Sequence, residues 1–470
     1  MSLLKEYFNR VADKRLRVRK RNGYYWNDIT RYCNYFIHDD YSVIEIGCGN
    51  GEMISQLKGR KKTGIDFSEK MIENARKNHT GVDFHVMEAE NITLEEKYDV
   101  VIISNIIGYL DDIQAVFEQV KKLCHRNTKV IVSYYSYLWE PALKLAEATG
   151  LKMKTPDQNW LSDPDIKNLL YLAGFDTYRM AYRQILPVNI PVISWFFNRF
   201  LARLPLFRKL CISKYAFARP EPDALPEFEK DFTVSVVIPA RNESGNIENA
   251  ILRTPKLGTH TEIIFIEGNS TDDTWDKIQE IQKKYAATHD IKIAKQPGKG
   301  KNDAVKKGFG MATGDILMIL DADLTMPPED LPKFYNAIAS GKGDFINGSR
   351  LVYKMEANAM QFLNVYGNKF FSMMFTWLLE RPFKDTLCGT KVIFRDDYDR
   401  LCSNRKFFGD FDPFGDFDLI FGAYKLNLKI VEIPIRYRER TYGSTNISRF
   451  KHGLILLKMV AFAARKIKFY

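Results

Sequence analysis

Two blocks of the chain repeat one pattern, in which short apolar runs alternate with longer amphipathic stretches. The runs are SVIEIG (42–47), TGID, DFHVM, DVVIIS and KVIVSYY in the first block, and FTVSVVIPA (232–240), EIIFIEG, IKIAKQ and DILMILDAD in the second. Continuous apolar strands between helices are typical of parallel sheets covered on both faces. The pattern therefore predicts an α/β protein with two sheets.

The stretch between the blocks differs in composition. Residues 218–231, ARPEPDALPEFEKD, contain three prolines and five acids, which is typical of a linker. We expect a first domain over residues 1–219, a linker over 220–231 and a second domain over 232–470.

Composition narrows the function. The 470-residue chain has a formal net charge of +11, which favours acidic partners. The six cysteines form no CxxC pair and the seven histidines no HxH or HExxH, so we expect no zinc site and a reducing compartment. Residues 1–21 lack the apolar core of a secretory signal, and no stretch reaches the roughly 18 uncharged apolar residues of a spanning helix.

The first chemical signal is VIEIGCGNGEM (43–53), a strand, a glycine-rich turn and the start of a helix. Its three glycines let the backbone approach a ligand closely. Asp66 ends the next apolar run, 19 positions after Gly47, and an acid there can accept both hydroxyls of a ribose. A strand before the turn and an acid after it together predict a nucleotide site.

The details of this turn indicate which nucleotide it binds. The spacing is GxGxG, and Glu45 suits a cationic amino acid better than a pyrophosphate. The stretch resembles the class I methyltransferases that use S-adenosylmethionine, well over residues 42–135 and weakly to about 219. The resemblance implies that the turn borders the methionine part and that Asp66 binds the ribose. It also implies that Glu88 and Ala89 contact the adenine and that Asn105 belongs to the wall behind the methionine and the methyl acceptor. The expected cofactor-binding residues are Glu45, Gly47, Cys48, Gly49, Gly51, Asp66, Phe67, Glu88, Ala89 and Asn105.

Methyl transfer to a hydroxyl needs a positioned base. Tyr109, His85 and Tyr135 are the candidates, and nothing in the sequence selects among them.

The second chemical signal begins with VVIPARNESGNIENAI (236–251) and FIEGNSTDDTWDKI (265–278), each a strand, a polar turn and a helix. Such turns lie at the carboxyl ends of parallel strands, where open sheets bind ligands. Glu243, Glu267 and Asp273 can accept hydrogen bonds from a base and a ribose. Lys301 begins a helix, where a diphosphate is favoured.

The stretch ILDADLTMPPEDL (319–331) ends an apolar run in two acids, Asp321 and Asp323. Side chains two apart on an extended strand point the same way. Mg²⁺ or Mn²⁺ bridges such carboxylates to phosphate oxygens, offsets their repulsion and neutralises a leaving diphosphate. We therefore expect both acids to be metal ligands.

In this order the segments resemble a family-2 glycosyltransferase with the GT-A fold over about 233–445, in particular the polyprenyl-phosphate sugar transferases. The resemblance implies that Arg350 lies near an acceptor phosphate, Asp385 near the acceptor and Arg440 near the diphosphate. It departs at IEGNS (266–270) and at Gln361, where a second acceptor-phosphate arginine is usual. The expected nucleotide-sugar-binding residues are Pro239, Ala240, Asn242, Glu243, Glu267, Asn269, Lys301, Asp321, Ala322, Asp323 and Arg440.

Sugar transfer to a hydroxyl would need a base, and FGDFDL (414–419) offers Asp416. A phosphate acceptor is already ionised and needs none, so the acceptor stays open between a polyprenyl phosphate and a glycan. Asp416 and Asp385 are the expected catalytic residues.

The stretch PVISWFFNRFLARLPLFRKL (191–210) interleaves aromatic and basic residues, and residues 448–470 have a similar character. Both are too charged to span a bilayer but suit its interface. The alternative is a packed helix with a solvated basic edge. We expect a cytoplasmic protein, peripheral on the inner face of the cell membrane, with no nucleic-acid partner.

The main hypothesis is therefore a bifunctional enzyme, in which a Rossmann-like methyltransferase domain precedes a metal-dependent GT-A glycosyltransferase domain. One alternative keeps the glycosyltransferase alone, with a non-catalytic cofactor-binding domain before it. The other is a membrane-associated scaffold that binds nucleotides without catalysis.

Overall fold

The computed structural model describes residues 2–224, 231–350, 352, 362–403, 416–438, 440, 442 and 449–469. The chain divides into two compact units, Met1–Phe228 and Glu229–Tyr470. Each unit is built on a seven-stranded sheet with helices around it, which confirms the predicted α/β class.

The first sheet consists of β1 Ser42–Ile46, β2 Lys61–Asp66, β3 Asp83–Val86, β4 Tyr98–Ser104, β5 Cys124–Tyr135, β6 Phe175–Arg183 and β7 Ser213–Pro220. Their order is β3-β2-β1-β4-β5-β7-β6. β1 to β5 are parallel, whereas β7 is antiparallel to both β5 and β6.

The helices of this unit are α1 Ser2–Arg21, α2 Gly23–Asn34, α3 Glu52–Gln56, α4 Glu69–Asn78, α5 Ile113–Lys122, α6 Glu140–Ala148, α7 Asp163–Leu172 and α8 Ile193–Arg199. Side chains that accept backbone N–H groups start three of the helices that cover the sheet: Ser68 caps α4, Asp112 caps α5, and Ser162 caps α7.

The five predicted runs of this block form the parallel strands β1 to β5, whereas the sequence patterns did not predict the antiparallel strands β6 and β7 at this edge. β6 alternates buried and half-buried residues, as antiparallel strands with one solvated face do. β7 runs to Pro220, so the first residues of the linker-like stretch 218–231 belong to the sheet. Residues 225–230 lie outside the described part of the chain.

The second sheet consists of β8 Thr233–Ala240, β9 His260–Glu267, β10 Asp290–Lys295, β11 Ile316–Ile319, β12 Phe345–Ser349, β13 Lys391–Phe394 and β14 Ile430–Pro434. Their order is β10-β9-β8-β11-β13-β12-β14. β13 is antiparallel to its neighbours β11 and β12, so this sheet is also mixed.

The helices of this unit are α9 Ile247–Leu252, α10 Thr274–Tyr285, α11 Lys301–Met311, α12 Leu331–Ala339, α13 Phe362–Leu379, α14 Arg395–Ser403, α15 Asp416–Lys425 and α16 Arg449–Ile467. β11 is buried along its whole length, and Leu320 after it is still buried, so Asp321 is the first polar residue beyond the core. None of the described helices is both long and apolar enough to cross a bilayer.

Candidate functional sites

The first unit has a pocket at the carboxyl ends of β1, β2 and β4, where parallel sheets place their ligands. The structure brings nine of the ten expected cofactor residues to its walls. They are Glu45, Gly47, Cys48, Gly49, Asp66, Phe67, Glu88, Ala89 and Asn105.

Asp66 ties the glycine turn to the end of β2. Its carboxylate accepts the backbone N–H of Gly49 at 2.9 Å and that of Ser68 at 2.9 Å, one on each oxygen. Burial raises the pKa of Asp66, and these two donors oppose the shift. Each oxygen keeps a second lone pair, so the carboxylate can still accept a ribose hydroxyl.

Gly51 is the expected cofactor residue that does not line the pocket. It lies at φ +79°, and a side chain there would meet the Phe84 ring at 2.6 Å. A glycine is required at this position because α3 approaches the sheet closely, and not because of the pocket.

Glu45 is a buried acid in the pocket wall. Its carboxylate accepts the backbone N–H of Ile54 at 3.0 Å. Burial raises the pKa of Glu45 to about 8, although the charge of Arg19 and the Ile54 hydrogen bond act against the shift. The side chain is thus poised to ionise when a cation binds beside it.

The helices α1 and α2 also line this pocket, which sequence reasoning missed. Phe8 packs edge-on against Phe67 and Tyr109 with ring centroids 5.6 and 5.5 Å away, and Arg15 lies over the Phe8 ring at 5.1 Å. Arg19 stacks on Trp26 at 4.3 Å, and all four of these α1 and α2 side chains line the pocket. The signal was present, because Leu4, Phe8 and Ala12 repeat every four residues on one helical face.

Of the three candidate bases, Tyr109 alone lines this pocket. Gln158 donates to its hydroxyl at 2.6 Å, and burial raises the pKa of Tyr109, so the phenol is neutral at pH 7. Tyr135 stacks on Tyr25 with ring centroids 6.0 Å apart, and burial raises its pKa as well. His85 pairs with Asp83 at 2.9 Å on β3.

The second unit gathers its acids at the carboxyl ends of β8 and β11. Arg440 bridges two of them: one guanidinium nitrogen donates to Glu243 at 2.9 Å and another to Asp323 at 2.6 Å. Burial raises the pKa of Glu243, while Asn246, which donates at 2.7 Å, and Arg440 oppose the shift. Arg440, which the resemblance placed near the diphosphate, therefore contacts two acids that were predicted to bind the same nucleotide sugar.

Asp321 forms an ion pair with Lys301 at the start of α11. Burial alone would raise the pKa of Asp321, but the charge of Lys301, with smaller effects of Lys391 and Arg350, outweighs burial and lowers it. Gly389 packs directly on this pair, since a Cβ there would lie 2.0 Å from the Asp321 carboxylate. Sequence reasoning missed Gly389 and Lys391, although they follow the expected catalytic residue Asp385 by four and six positions.

The turns after β8 and β9 are held by polar side chains in left-handed backbone conformations. Asn242 has φ 55° and accepts the Thr271 N–H at 2.8 Å, and Asn269 has φ 59° and donates to the Gly298 carbonyl at 3.0 Å. Ala240 ends β8 after Pro239, and its carbonyl accepts the Gly268 N–H at 2.8 Å. Glu267 accepts the N–H of Ser270.

Arg350 and Asp385 pair with each other. The guanidinium donates to both carboxylate oxygens, at 2.8 and 2.9 Å, and the Leu387 N–H donates at 3.1 Å. Asp385 is fully buried; burial would raise its pKa, but the Arg350 charge lowers it below the usual value. This geometry suits Asp385 to orienting Arg350, because its carboxylate is already occupied on both oxygens.

Residues 37–175 match the family described as methyltransferase domain, and residues 235–401 match glycosyl transferase family 2. The chain joins a methyltransferase domain to a family 2 glycosyl transferase domain. The first carries the pocket around Asp66, and the second carries the acids around Arg440. These matches confirm the Rossmann-like and GT-A domains that the sequence patterns predicted.

The glycosyl transferase domain has curated relatives. It is 40% identical over 122 residues to dolichol-phosphate mannosyltransferase of Pyrococcus furiosus, which covers 25% of this chain and 33% of that protein. It is 27% identical over 230 residues to undecaprenyl-phosphate 4-deoxy-4-formamido-L-arabinose transferase of Proteus mirabilis, which covers 48% of this chain and 65% of that protein. The chain therefore spans less than two thirds of the length of either relative.

Among solved structures, the methyltransferase domain is similar to a SAM-dependent methyltransferase of Thermotoga maritima, described as a possible histamine N-methyltransferase. The match has a TM-score of 0.37 and 18% identity, and it covers 46% of this chain and 99% of that one.

Some expected residues of the glycosyl transferase domain fall outside the described part. Asp416 begins α15, but its side chain is not described, and Gln361 is also outside. Ala322 lies buried between Asp321 and Asp323. Within the described ranges, no group of three or more His, Cys, Asp or Glu side chains is arranged to hold a metal.

Proposed function

We propose that this chain is a bifunctional enzyme that transfers a methyl group from S-adenosylmethionine and a sugar from a nucleotide sugar. One observation carries the proposal: in each domain, side chains distant in sequence but suited to one ligand meet at the carboxyl edge of the sheet. In the methyltransferase domain these are Glu45, Asp66 and Asn105, and in the glycosyl transferase domain Glu243, Asp323 and Arg440.

In the methyltransferase domain, we assign each acid to a different part of S-adenosylmethionine. The Asp66 carboxylate accepts the ribose hydroxyls, and the turn at Gly47 and Gly49 leaves room for the methionine part. Glu88 and Ala89 border the adenine. Glu45 balances the positive charge of the methionine end, because a buried acid ionises readily next to a cation.

Glu45 should make cofactor affinity depend on pH. Its pKa of about 8 leaves it protonated at neutral pH. The cationic cofactor binds the ionised form of Glu45 better, so its affinity should rise as the pH increases toward 8. Below that pH the affinity should fall by at most about tenfold per pH unit. Calorimetry from pH 6 to pH 9 measures the slope of affinity against pH. The upper limit lies roughly one pH unit above the pKa of Glu45.

Glu45→Gln is the matched control for that slope, since it keeps the shape of the side chain and cannot ionise. Any titration of the ligand itself is common to both proteins. A parallel pH profile in the two proteins would remove Glu45 from the cofactor site.

In the glycosyl transferase domain, the cations lie where a diphosphate needs them. Lys301 lies at a helix start, and Arg440 lies between Glu243 and Asp323, so both can turn to phosphate oxygens when the nucleotide sugar binds. Glu267 and Asn269 border the nucleoside. Transfer then requires an acceptor oxygen in line with the leaving diphosphate.

A polyprenyl phosphate or a glycan is the proposed acceptor. Arg350, oriented by Asp385, supplies a fixed positive charge for an acceptor phosphate, which is already ionised. A glycan hydroxyl would instead give its proton to a base, and we assign that role to Asp416. The two relatives described above are named for sugar transfer with dolichol phosphate and with undecaprenyl phosphate.

The chemistry of Asp321 and Asp323 fits Mg²⁺ or Mn²⁺, whose remaining ligands would be phosphate oxygens and water. When bound, such a cation neutralises charge on the leaving diphosphate. Lys301 and Arg440 pair with these carboxylates in the structure and would compete with the metal for them.

Gly389→Ala should strongly reduce sugar transfer without affecting cofactor binding in the other domain. The added Cβ would lie 2.0 Å from the Asp321 carboxylate and 2.4 Å from the Lys301 nitrogen, so the pair must move. We expect a loss on the order of 10²-fold, the range for a misplaced active-site group. Initial rates with a nucleotide-sugar donor measure it.

Gly310→Ala provides the control, because a Cβ at that position on α11 meets nothing within 4 Å. It should retain full transfer. Equal rates in both variants would show that the Asp321–Lys301 pair is not part of the site.

We place the enzyme peripherally on the inner face of the cell membrane, where a polyprenyl acceptor resides. Exposed apolar side chains on α13 and α16 support this location, among them Phe370, Met373, Leu454 and Leu457. The basic net charge favours an anionic surface.

A double-label assay tests the proposal as a whole. The full chain is incubated with methyl-labelled S-adenosylmethionine, a panel of sugar-labelled nucleotide sugars and a crude membrane fraction as acceptor source. Incorporation of both labels is expected. Sugar label alone would favour a non-catalytic cofactor-binding domain, and absence of both would favour the scaffold.

A further inference from the structure

The connection between β6 and β7 carries an exposed apolar surface, which we call the α8 surface. Its most prominent members are Val192, Ile193, Trp195, Phe196 and Leu206, which are 75%, 49%, 53%, 47% and 86% exposed. A soluble monomer rarely leaves so many large apolar side chains together in water, so the surface indicates a partner.

The polarity of this segment is reversed relative to an ordinary surface helix. Ser194 and Asn198, one turn apart on α8, are the buried residues. Asn198 accepts the N–H groups of Ile185 and Leu186 at 2.7 and 2.9 Å, and Ser194 donates to the Val188 carbonyl at 2.6 Å. Polar anchors thus fix the segment from below and hold the aromatic side chains outward.

The charge of the segment is one-sided. No aspartate or glutamate occurs from residue 177 to residue 220, whereas Arg199, Arg208 and Lys209 lie among the aromatic residues. Apolar rings with only cations around them match the interface of an anionic bilayer, where rings enter the headgroup boundary and cations meet phosphates.

The topology places the α8 surface beside the cofactor pocket. Ser213, the first residue of β7, pairs with Tyr135 at the carboxyl end of β5 and with Arg183 at the end of β6. The connection therefore leaves the sheet at the edge that carries the carboxyl ends of β1 and β4, where the pocket lies.

Hydrogen bonds join the segment to the pocket wall. Asn198 donates to the Tyr24 hydroxyl at 3.0 Å, and the neighbouring Tyr25 hydroxyl accepts from Asn105, a pocket residue, at 3.3 Å. Trp26, on the same turn of α2, lines the pocket itself. A surface that docks through α8 thus lies next to the methyltransferase site.

We propose that the α8 surface docks the methyltransferase domain on an anionic bilayer and that its methyl acceptor is a lipid-linked molecule reached from that bilayer. This inference rests on the proposed methyl transfer. It adds the class of acceptor, which is amphiphilic rather than free in solution.

Two measurements on the full chain test it. Co-sedimentation uses vesicles of phosphatidylcholine with phosphatidylglycerol. Methyl transfer uses labelled S-adenosylmethionine with washed membranes or, separately, with the small-molecule cytosolic fraction of the same cells. The wild type should sediment with the vesicles, release partly in salt, and place its label in the organic extract of the membranes.

The variant Trp195→Ser/Phe196→Ser should lose vesicle binding and membrane methylation by at least about tenfold, because two large apolar side chains no longer leave water. Its affinity for S-adenosylhomocysteine should be unchanged, which shows that the domain is folded. The matched control is Tyr171→Ser/Leu172→Ser, which removes two exposed apolar residues at the end of α7, near the opposite edge of the sheet.

The other outcomes each contradict the inference. Label in the aqueous fraction alone would show a soluble acceptor and leave the proposed methyl transfer intact. Label in neither fraction would contradict the proposed methyl transfer itself. If the α8 variant still methylates membranes at the wild-type rate, the surface has another role. The same follows if the wild type is a dimer in the absence of vesicles and the α8 variant is a monomer.

Discussion

Asp323→Ala is expected to reduce sugar transfer by about 10²–10³-fold, the usual loss when a group that stabilises transition-state charge is removed. Asp323 anchors Arg440 at 2.6 Å and is held by the Thr325 hydroxyl at 2.8 Å. Removing it loses one proposed metal ligand and frees an arginine that should face the diphosphate. Initial rates over a range of Mn²⁺ concentrations, with thermal unfolding as the check on folding, measure the effect.

The matched control is Asp315→Asn at the other end of the same strand. That carboxylate accepts the Thr233 N–H at 2.8 Å, at the amino edge of the sheet, and takes no part in the site. It should transfer sugar at the wild-type rate. Full activity of Asp323→Ala without added metal would overturn the assignment of the LDADL stretch.

Asp66→Ala is expected to weaken S-adenosylhomocysteine binding by roughly 1.5–3 kcal/mol, the range for hydrogen bonds to a charged group. The change removes the ribose acceptor and also releases the Gly49 N–H that Asp66 holds at 2.9 Å. Both effects act on the bound cofactor, so we expect a loss at the upper end of the range. Titration calorimetry measures it directly.

Asp83→Asn is the control for Asp66, since it changes an exposed acid of the neighbouring strand that pairs with His85 outside the pocket. Its affinity should match the wild type. Sugar transfer should survive both changes, because the acids of that reaction belong to the other unit. Unchanged affinity in Asp66→Ala would contradict the ribose assignment.

The sequence determined the local parts of both sites. A glycine turn after an apolar strand has few backbone alternatives, so GCGNG with Asp66 after the next strand predicted the pocket from a span of 20 residues. In the same way, an apolar run that stops at Asp321 and Asp323 predicted where β11 leaves the core. Each of these signals lies within one βαβ step, where periodicity and turn chemistry suffice.

The tertiary structure decided which distant side chains meet. Arg440 bridges Glu243 and Asp323 across spans of 197 and 117 residues, and Arg350 pairs with Asp385 across 35. No local pattern encodes such pairs, because they depend on how the strands are ordered in the sheet. The same is true of Gly389, whose need to be glycine comes only from the Asp321–Lys301 pair packed against it.

The tertiary structure also decided which side chains of the amphipathic segments are buried. From sequence alone, residues 1–21 were a stretch without a signal-peptide core, and residues 191–210 were basic and aromatic without a direction. The fold turns Phe8 and Arg15 into the pocket wall, and it turns Ser194 and Asn198 inward so that Trp195 and Phe196 face outward. Composition determines that a segment has two kinds of side chain, but only burial against the sheet decides which kind remains in contact with water.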